Sequence, residues 1–347
     1  MTTSAPGITT AAKHSAAGLR VFFGYDERVL ANELAKVEAM VMPRPAVTVV
    51  EDALLVPLER TIKGFFRGGV FAGGRYLDEA VLCRGAGSQR RAHVEAPDVR
   101  PSPERTLAKA VFGGYMFDHY GHFLLEGLSR VLDEQVRCSD LPIVAFNPMR
   151  IDRLKPYMAK ALARAGVDPE RIVLCDAPTA VGALVMQEPS FEIRGLVRPD
   201  AYAALRRPAG PPSGETLYLS RSGLGPRQRV LGEDRLEAAL AAAGLATIVA
   251  PETLAWEAQV DRLAAADLVI ACEGSALHTL MLTGVPARFV CLSDGLPNLN
   301  YFLCDEVIDG DAVYVDAAAP RTGEKERAWT LDVAAVLDSV RRARSLT

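Results

Sequence analysis

The chain has 347 residues, enough for two domains, and its 49% apolar and 24% charged residues are typical of an ordinary globular protein. Its formal net charge of -4 gives no electrostatic reason to expect a nucleic-acid partner. No apolar run approaches the ~18 residues that a membrane span needs, so at most a peripheral membrane contact is expected.

The N-terminus and the cysteines indicate a compartment. Residues 1–18 are small and polar and lack the apolar core of a signal peptide, which predicts a disordered N-terminal arm. The six cysteines show no CxxC spacing, and Cys272 and Cys291 lie in apolar, strand-like runs. This pattern predicts reduced, buried thiols in a cytoplasmic protein, and neither a disulfide framework nor a zinc site.

The front of the chain, residues 19–207, is interpreted as one N-terminal domain. Strand-like runs at 47–50 and 54–58, with a glycine-rich stretch at 68–74, predict an antiparallel or irregular front section. A strand, a helix and a further strand are then predicted at 141–146, 150–165 and 172–174.

The second half of the chain alternates more regularly. Residues 208–214 are rich in Pro and Gly and form the expected linker. Beyond it, strands and helices are predicted in turn at 216–220, 236–243, 245–249, 256–264, 268–272, 276–283 and 288–292. This order is typical of a Rossmann-like parallel sheet in a second domain, 215–325, which a C-terminal helix at 326–347 follows.

The predicted fold class is therefore α/β, with two Rossmann-like domains facing a cleft, an arrangement called GT-B in glycosyltransferases. The periodicity alone fits two-domain dehydrogenases and binding proteins equally well. Neither GxGxxG after a strand nor GxxxxGK[ST] occurs, which argues against a standard dinucleotide or P-loop site.

A polar turn follows the apolar run 268–272. It contains Glu273, Gly274, Ser275 and His278. Ligands of open α/β sheets bind beyond the carboxyl ends of the strands, and a following helix offers free N–H groups to a phosphate. The turn is a predicted ligand site, with the structural alternative that Ser275 caps helix 276–283. A serine-hydrolase pattern is excluded, because GxSxG requires glycine where Leu277 stands.

A basic loop follows the strand predicted at 216–220. Its arginines are Arg221, Arg227 and Arg229. Guanidinium groups pair bidentately with phosphate oxygens, so this loop is a candidate clamp for a diphosphate. The alternative is a solvated basic loop.

A third candidate lies in the N-terminal half. It comprises Asp118, His119, His122 and Glu126. On a helix beginning near residue 119, His119, His122 and Glu126 share one face. His122 and Glu126 can hydrogen-bond, and either is a candidate general base. The alternatives are an ordinary polar helix face and a metal site, although the HExxH pattern is absent.

The chain resembles glycosyltransferase family 61 in three segments, HYGHFLLEGLSRVL, YLSRSGLGPRQRVLGED and the stretch from APETLAW to ARFVCL. Matching positions are Arg221, Arg229 and Glu233 in an arginine element; Pro251, Glu252 and Gln259 in a second element; Glu273, Gly274, Ser275 and His278 in the turn; and His122, Glu126 and Arg130 in an N-terminal helix. The chain departs from the family pattern at Gly232, Glu273 and Thr279.

This resemblance implies inverting transfer from a nucleotide sugar in a GT-B fold without a bound metal or other cofactor. The donor site would include Arg221, Arg227, Arg229, Glu252 and the polar turn, and the base would be His122 or Glu126, with His119 and Asp118 next in line. The expected partners are a nucleotide sugar and a glycan or other hydroxyl acceptor, in bacterial surface polysaccharide synthesis. The alternatives are a metal-dependent hydrolase using His119, His122 and Glu126, and a non-catalytic nucleotide- or sugar-binding module.

Overall fold

The computed structural model describes residues 2–5, 8–14, 18–62, 64–208, 210–211, 213–225, 230–295, 297–319 and 329–346. The chain forms two compact units. Unit 1 combines Met1–Ala39 with Arg206–Thr347, and unit 2 is Met40–Leu205.

The strands, in chain order, are β1 Thr2–Ala5, β2 Ile8–Ala12, β3 Leu19–Phe23, β4 Val47–Arg60, β5 Phe66–Ala72, β6 Arg75–Tyr76, β7 Cys83–Arg84, β8 Arg91–Ala92, β9 Val94–Glu95, β10 Arg105–Tyr115, β11 Ile143–Phe146, β12 Ile172–Cys175, β13 Thr179–Gln187, β14 Phe191–Glu192, β15 Leu196–Val197, β16 Thr216–Leu219, β17 Thr247–Val249, β18 Leu268–Cys272, β19 Phe289–Ser293 and β20 Ala312–Asp316.

The α-helices are α1 Glu27–Met40, α2 Tyr120–His122, α3 Glu134–Arg137, α4 Pro156–Arg164, α5 Glu233–Ala242, α6 Trp256–Ala265, α7 Ser275–His278, α8 Leu299–Asp305 and α9 Val333–Ser345. A π-helix, Phe123–Gly127, continues α2, and a 3₁₀ helix, Thr279–Leu282, continues α7. Within these described residues, no helix is both long and apolar enough to cross a membrane.

Unit 1 contains a sheet in the order β1-β2-β3-β20-β19-β18-β16-β17. The strands from β3 to β17 in this order pair in parallel, whereas β1 and β2 pair antiparallel. All residues of β18 and β19 are buried, as is usual for parallel strands covered on both faces. The strand predicted at 268–272 is confirmed residue for residue.

The strand order of unit 1 reverses beside β16. From β16 the chain passes through α5 to β17 on one side, and α6 then leads to β18 on the other side of β16. Such a reversal opens a crevice beyond the carboxyl ends of the two strands, which is where open α/β sheets bind ligands. The residues directly after β16 and β18 are therefore the part of unit 1 that the topology favours for a site.

Unit 2 contains a mixed sheet in the order β12-β11-β10-β13-β4-β5-β6. Strands β10 to β13 pair in parallel, and β4 to β6 join them antiparallel. Gly73 and Gly74 have positive φ angles of 55° and 81° in the tight turn between β5 and β6, and such a turn forces antiparallel pairing. Unit 2 is thus not the wholly Rossmann-like domain that the sequence predicts for 19–207, although its antiparallel front was expected.

The N-terminal segment differs most from the sequence-based prediction. Residues 2–5 and 8–12 form strands where a disordered arm was expected, and β3 pairs in parallel with β20, so 19–39 lie in unit 1 rather than with 40–207. Local sequence patterns carry no information about a partner strand nearly 300 residues away. The chain returns to unit 1 at Arg206, next to the predicted linker 208–214, of which residues 209 and 212 lie outside the described residues.

A buried ionic cluster anchors β3 in unit 1. The guanidinium of Arg20, only 1% exposed, donates to both carboxylate oxygens of Asp305 and also contacts Glu306. The hydroxyl of Tyr314 donates to Asp305 Oδ2 over 2.6 Å. A buried charge is tolerated only when it is paired and hydrogen-bonded, so these contacts offset the cost of burying Arg20.

Helix α4 begins six residues later than the predicted helix 150–165. Lys155 is extended, with φ -68° and ψ 153°, and Pro156 opens the helix. The ring of a proline disfavours helical geometry in the residue before it, whereas proline itself fits the first helical turn. The proline therefore sets the start of this helix.

Candidate functional site

Arg221 lies at the carboxyl end of β16, where the strand order of unit 1 reverses. Its backbone N–H donates to Glu233 Oε1 over 2.9 Å, and the hydroxyl of Tyr218 donates to the same oxygen over 2.9 Å. Its guanidinium Nη1 donates to the backbone carbonyl of Glu273, directly after β18. Arg221 therefore spans the ends of β16 and β18, the two strands that border the crevice.

Glu233 holds this arrangement from α5. It is only 2% exposed, and burial raises the pKa of its carboxyl group, against the opposing effect of the bonds from Arg221 N–H and the Tyr218 hydroxyl. Burying a carboxyl group is costly, so Glu233 fixes the backbone of Arg221 at an energetic cost. The predicted match of Glu233 to the arginine element thus corresponds to a direct contact with Arg221.

Gly274 provides the space beside the guanidinium. A Cβ atom at this position would lie 3.3 Å from Arg221 Nη1. The φ angle of Gly274 is 179°, which any residue adopts, so the close approach and not the backbone conformation favours glycine. Gly274 is also the N-cap of α7, without a side-chain bond, and Ser275 is the first helical residue. The expectation that Ser275 caps the helix is wrong.

The other residues of the turn pack against α8. Glu273 Oε1 accepts from the backbone N–H of Asn298 over 2.7 Å, which ties the turn to the start of α8. His278 is buried, and its ring centroid lies 5.4 Å from that of Tyr301. These contacts give both side chains a structural role, and a role in donor binding remains a prediction.

Glu252 lies beside the start of the arginine loop. It follows β17 and is exposed, and its Oε1 lies 2.9 Å from the position of a Cβ atom at Gly223. Arg227 and Arg229 fall outside the described residues. The structure therefore brings together Arg221, Glu252, Glu273 and Gly274, in one unit, at the carboxyl edge of one sheet.

A second cluster lies in unit 2, after the carboxyl end of β10. His119 is the N-cap of α2 and accepts from the backbone N–H of His122, so the predicted helix begins there. One π-helical turn follows, and it contains Glu126. His122 Nδ1 lies 2.7 Å from Glu126 Oε2, so the predicted contact between these two side chains is present.

Arg84 completes this cluster, and no local sequence pattern indicates it. From β7 its Nε donates to Glu126 Oε1 over 2.7 Å and its Nη2 to Oε2 over 2.8 Å. Its guanidinium also lies over the ring of Phe117, 5.7 Å from the centroid. Glu126 is 3% exposed, and although burial alone raises the pKa of its carboxyl group, the bonds from His122 and Arg84 outweigh burial and hold the pKa below its ordinary value. Glu126 is therefore a buried, ionised carboxylate.

His119 and Asp118 stand at the margin of this cluster. The ring of His119 is 4.9 Å from that of His122, and burial, followed by the neighbouring His122, lowers the pKa of His119. Asp118 lies 3.5 Å from Lys155 Nζ. Across the residues that the structure describes, no three His, Cys, Asp or Glu side chains are grouped so as to hold a metal ion, so the hydrolase built on His119, His122 and Glu126 is not favoured.

The family model described as Glycosyltransferase 61 matches residues 120–290. The matched segment is just under half of the 347-residue chain, and it supports glycosyltransferase family 61 and a glycosyltransferase activity. No curated protein matches the chain significantly.

The Glycosyltransferase 61 match includes residues from both clusters. It begins at α2 and ends within β19, so it contains His122 and Glu126 as well as Arg221 and Gly274. Arg130 also lies inside it, but this arginine is buried and donates to the carbonyls of Gln187 and Glu79, which is a structural role. Arg84 lies outside the matched segment.

Proposed function

We propose that this protein is an inverting, metal-independent glycosyltransferase of family 61, with the two-domain GT-B arrangement. It transfers a sugar from a nucleotide-sugar donor to a hydroxyl group of a glycan, in the cytoplasm and in bacterial surface polysaccharide synthesis. The observation that carries the proposal is the position of Arg221 across the ends of β16 and β18, within the matched segment.

The donor diphosphate is proposed to bind beside Arg221. The bond to the Glu273 carbonyl does not neutralise the positive charge of the guanidinium, because a carbonyl oxygen carries no formal charge. Guanidinium groups form strong, charge-assisted bonds with phosphate oxygens. Gly274 keeps the approach open, and Arg227 and Arg229 are proposed to add charge from the same loop. This charge stabilises the diphosphate as it leaves.

The acceptor is proposed to be activated by His122. Glu126 accepts from His122 Nδ1–H, which leaves the Nε2 lone pair to take a proton. The acceptor oxygen then forms a bond to the anomeric carbon while the bond from that carbon to the diphosphate breaks. The proton goes to His122 Nε2 and the electron pair leaves with the diphosphate. Attack from the face opposite the leaving group inverts the anomeric configuration.

The first test is a thermal-shift screen against a panel of nucleotide sugars without divalent metal. A ligand at 100 times its Kd stabilises the folded protein by about 2.7 kcal/mol. The best donor is then incubated with the protein, and released nucleoside diphosphate and the anomer of the released sugar are followed by NMR. We expect slow release with inversion, unaffected by a chelator.

Variants assign this release to the proposed residues. His122→Ala and Arg221→Met should slow it, whereas His93→Ala, whose ring bonds the Gly64 carbonyl elsewhere in unit 2, should not. Release abolished by a chelator would favour the metal-dependent hydrolase. Binding without any release or transfer would favour the non-catalytic binding module.

A further inference from the structure

Arg84 reaches the proposed base through Glu126 from a distant part of the sequence. It lies 38 residues before His122, on the two-residue strand β7, and its side chain is 22% exposed. It forms a bidentate pair with Glu126, and its Nη2 also lies 3.3 Å from His122 Nδ1. The side chains of Arg84, Glu126 and His122 therefore form one contiguous hydrogen-bonded cluster, with the buried carboxylate at its centre.

The hydrogen-bond geometry assigns the tautomer of His122. Nδ1 is 2.7 Å from a carboxylate oxygen, which only accepts, so Nδ1 carries the hydrogen. The Arg84 Nη2 group donates to the same oxygen over 2.8 Å. In the neutral ring Nε2 then has the lone pair, as a general base for a hydroxyl group requires.

The charge of Arg84 decides what the carboxylate does to this ring. A carboxylate beside a histidine stabilises the protonated imidazolium, which cannot act as a base. A buried carboxylate without a cation also tends to become protonated, and it would then no longer accept from Nδ1–H. Arg84 neutralises the charge of Glu126 while leaving its oxygens as acceptors, so orientation is kept without excess stabilisation of the imidazolium.

We propose that Arg84 is a positioning residue for the catalytic base: it keeps Glu126 ionised and charge-compensated, so that Glu126 orients His122 and leaves Nε2 free to accept the proton of the acceptor. This inference rests on the proposed function for its catalytic consequence, although the state of the ring can be measured without activity.

Several charged groups surround the pair of His122 and Glu126. Those on its own segment are Glu126, His119 and Asp118, and among the residues that the structure describes Arg84 faces it from another element. Arg130 and Glu192 line a small cavity beside Glu126. Removing the charge of Arg84 leaves Glu126 as a buried carboxylate without its cation, so it should take up a proton and no longer accept from Nδ1–H of His122.

The direct test follows the histidine rings by ¹⁵N-correlated NMR in the whole chain, wild type and Arg84→Met. The His122 signals are assigned by their loss in His122→Ala. We expect the Nδ1–H tautomer in the neutral wild-type ring and a larger share of the Nε2–H tautomer in Arg84→Met. The matched control is Arg90→Met, which removes another bidentate Arg–Glu pair of unit 2, with Glu192, at 3.1 and 3.2 Å. An unchanged tautomer population in Arg84→Met, or an equal change in the control, overturns the proposal.

Kinetics give the second readout, with transfer or donor hydrolysis as the measured reaction. Arg84→Met should lower kcat by no more than the ~10²–10⁴-fold expected for loss of the base and leave donor affinity unchanged. Arg84→Lys restores the positive charge but not the bidentate geometry of the guanidinium, so its kcat should lie between those of the wild type and Arg84→Met. In the His122→Ala background, Arg84→Met should have no further effect on kcat.

The outcomes separate the two proposals. An equal kcat loss from Arg84→Met with and without His122 would show a merely structural role, and melting curves identify variants that fail to fold. Absence of transfer and hydrolysis in the wild type contradicts the proposed function, whereas the tautomer of His122 measured by NMR still decides whether Arg84 positions this ring.

Discussion

Replacing Arg221 by methionine should selectively weaken the binding of phosphate-containing ligands. The variant keeps most of the aliphatic stem and the 2.9 Å backbone bond to Glu233, and removes only the guanidinium. The lost protein contact is the bond to the Glu273 carbonyl, which is partly buried. One such bond contributes about 1 kcal/mol to stability, so the variant should remain folded.

The magnitude for the ligand follows from charge-assisted bonding. A hydrogen bond to a charged group contributes roughly 1.5–3 kcal/mol. Because 1.36 kcal/mol corresponds to a factor of ten, the Kd for a nucleoside diphosphate should rise by about 10- to 150-fold. The Kd for the matching nucleoside, which lacks the phosphates, should hardly change.

The assay is calorimetric titration of both ligands into the wild type, Arg221→Met and a control. The control Arg262→Met removes a half-exposed pair with Glu215, 3.1 Å long, in the same unit. It tests whether the loss of any arginine from unit 1 has the same effect. An equal loss of affinity for nucleoside and nucleoside diphosphate would refute the assignment of Arg221 to the phosphate site.

Three further predictions concern the same elements. Gly274→Ala places a Cβ atom 3.3 Å from Arg221 Nη1, so calorimetry should show weaker diphosphate binding while the melting temperature stays near that of the wild type; unchanged binding would contradict the close-approach argument. Arg20→Met leaves the buried carboxylates without the guanidinium that pairs with them, so urea unfolding should show that the free energy of unfolding falls by roughly 3–5 kcal/mol. A decrease of less than about 1 kcal/mol would contradict a stabilising role of the cluster. The folded-state pKa of Glu126 is lowered, so the stabilisation from its ionised carboxylate is present above the ordinary pKa of 4.5 and is lost as the pH falls through the lower folded-state pKa. In Glu126→Gln the acid-induced loss of stability should therefore be smaller than in the wild type. Identical acid unfolding of the two proteins would contradict this sign.

The parallel sheet of unit 1 could be predicted from the sequence where the residues of a strand by themselves indicate a buried strand. The run 268–272 is apolar throughout, because both faces of β18 are covered, and such a run can be recognised without knowing its neighbours. Strand β3 is also buried, but its place beside β20 depends on pairing with residues nearly 300 positions away. Periodicity does not encode that pairing, so the N-terminal segment was assigned to the wrong unit.

The side chains around the candidate base show the same limit, because a contact between near neighbours in sequence can be predicted and a contact with a distant residue cannot. His122 and Glu126 are four residues apart, and helical geometry predicts their contact from the spacing alone. Arg84 comes from β7, whose two residues lie among loops and offer no periodic pattern. Its contact with Glu126 arises from tertiary packing. A buried carboxylate on the helix indicates that a cation pairs with it, but not which residue supplies that cation.

The two arginines of the candidate sites differ in what their carboxylate partners do to them. Both carboxylate oxygens of Glu126 accept hydrogen bonds from the guanidinium of Arg84. The charge of Arg84 is therefore compensated within the protein, and the pKa of Glu126 is lowered despite burial. Glu233, equally buried, accepts instead from the backbone N–H of Arg221 and from a hydroxyl group, and burial raises its pKa. Glu233 therefore fixes the backbone of Arg221, and although the two charges interact, its carboxylate accepts from the backbone N–H and not from the guanidinium. A ligand phosphate gains more from a fixed cation whose guanidinium is not hydrogen-bonded to a carboxylate than from one in a bidentate ion pair, which is why the diphosphate is assigned to Arg221 and the orientation of the base to Arg84.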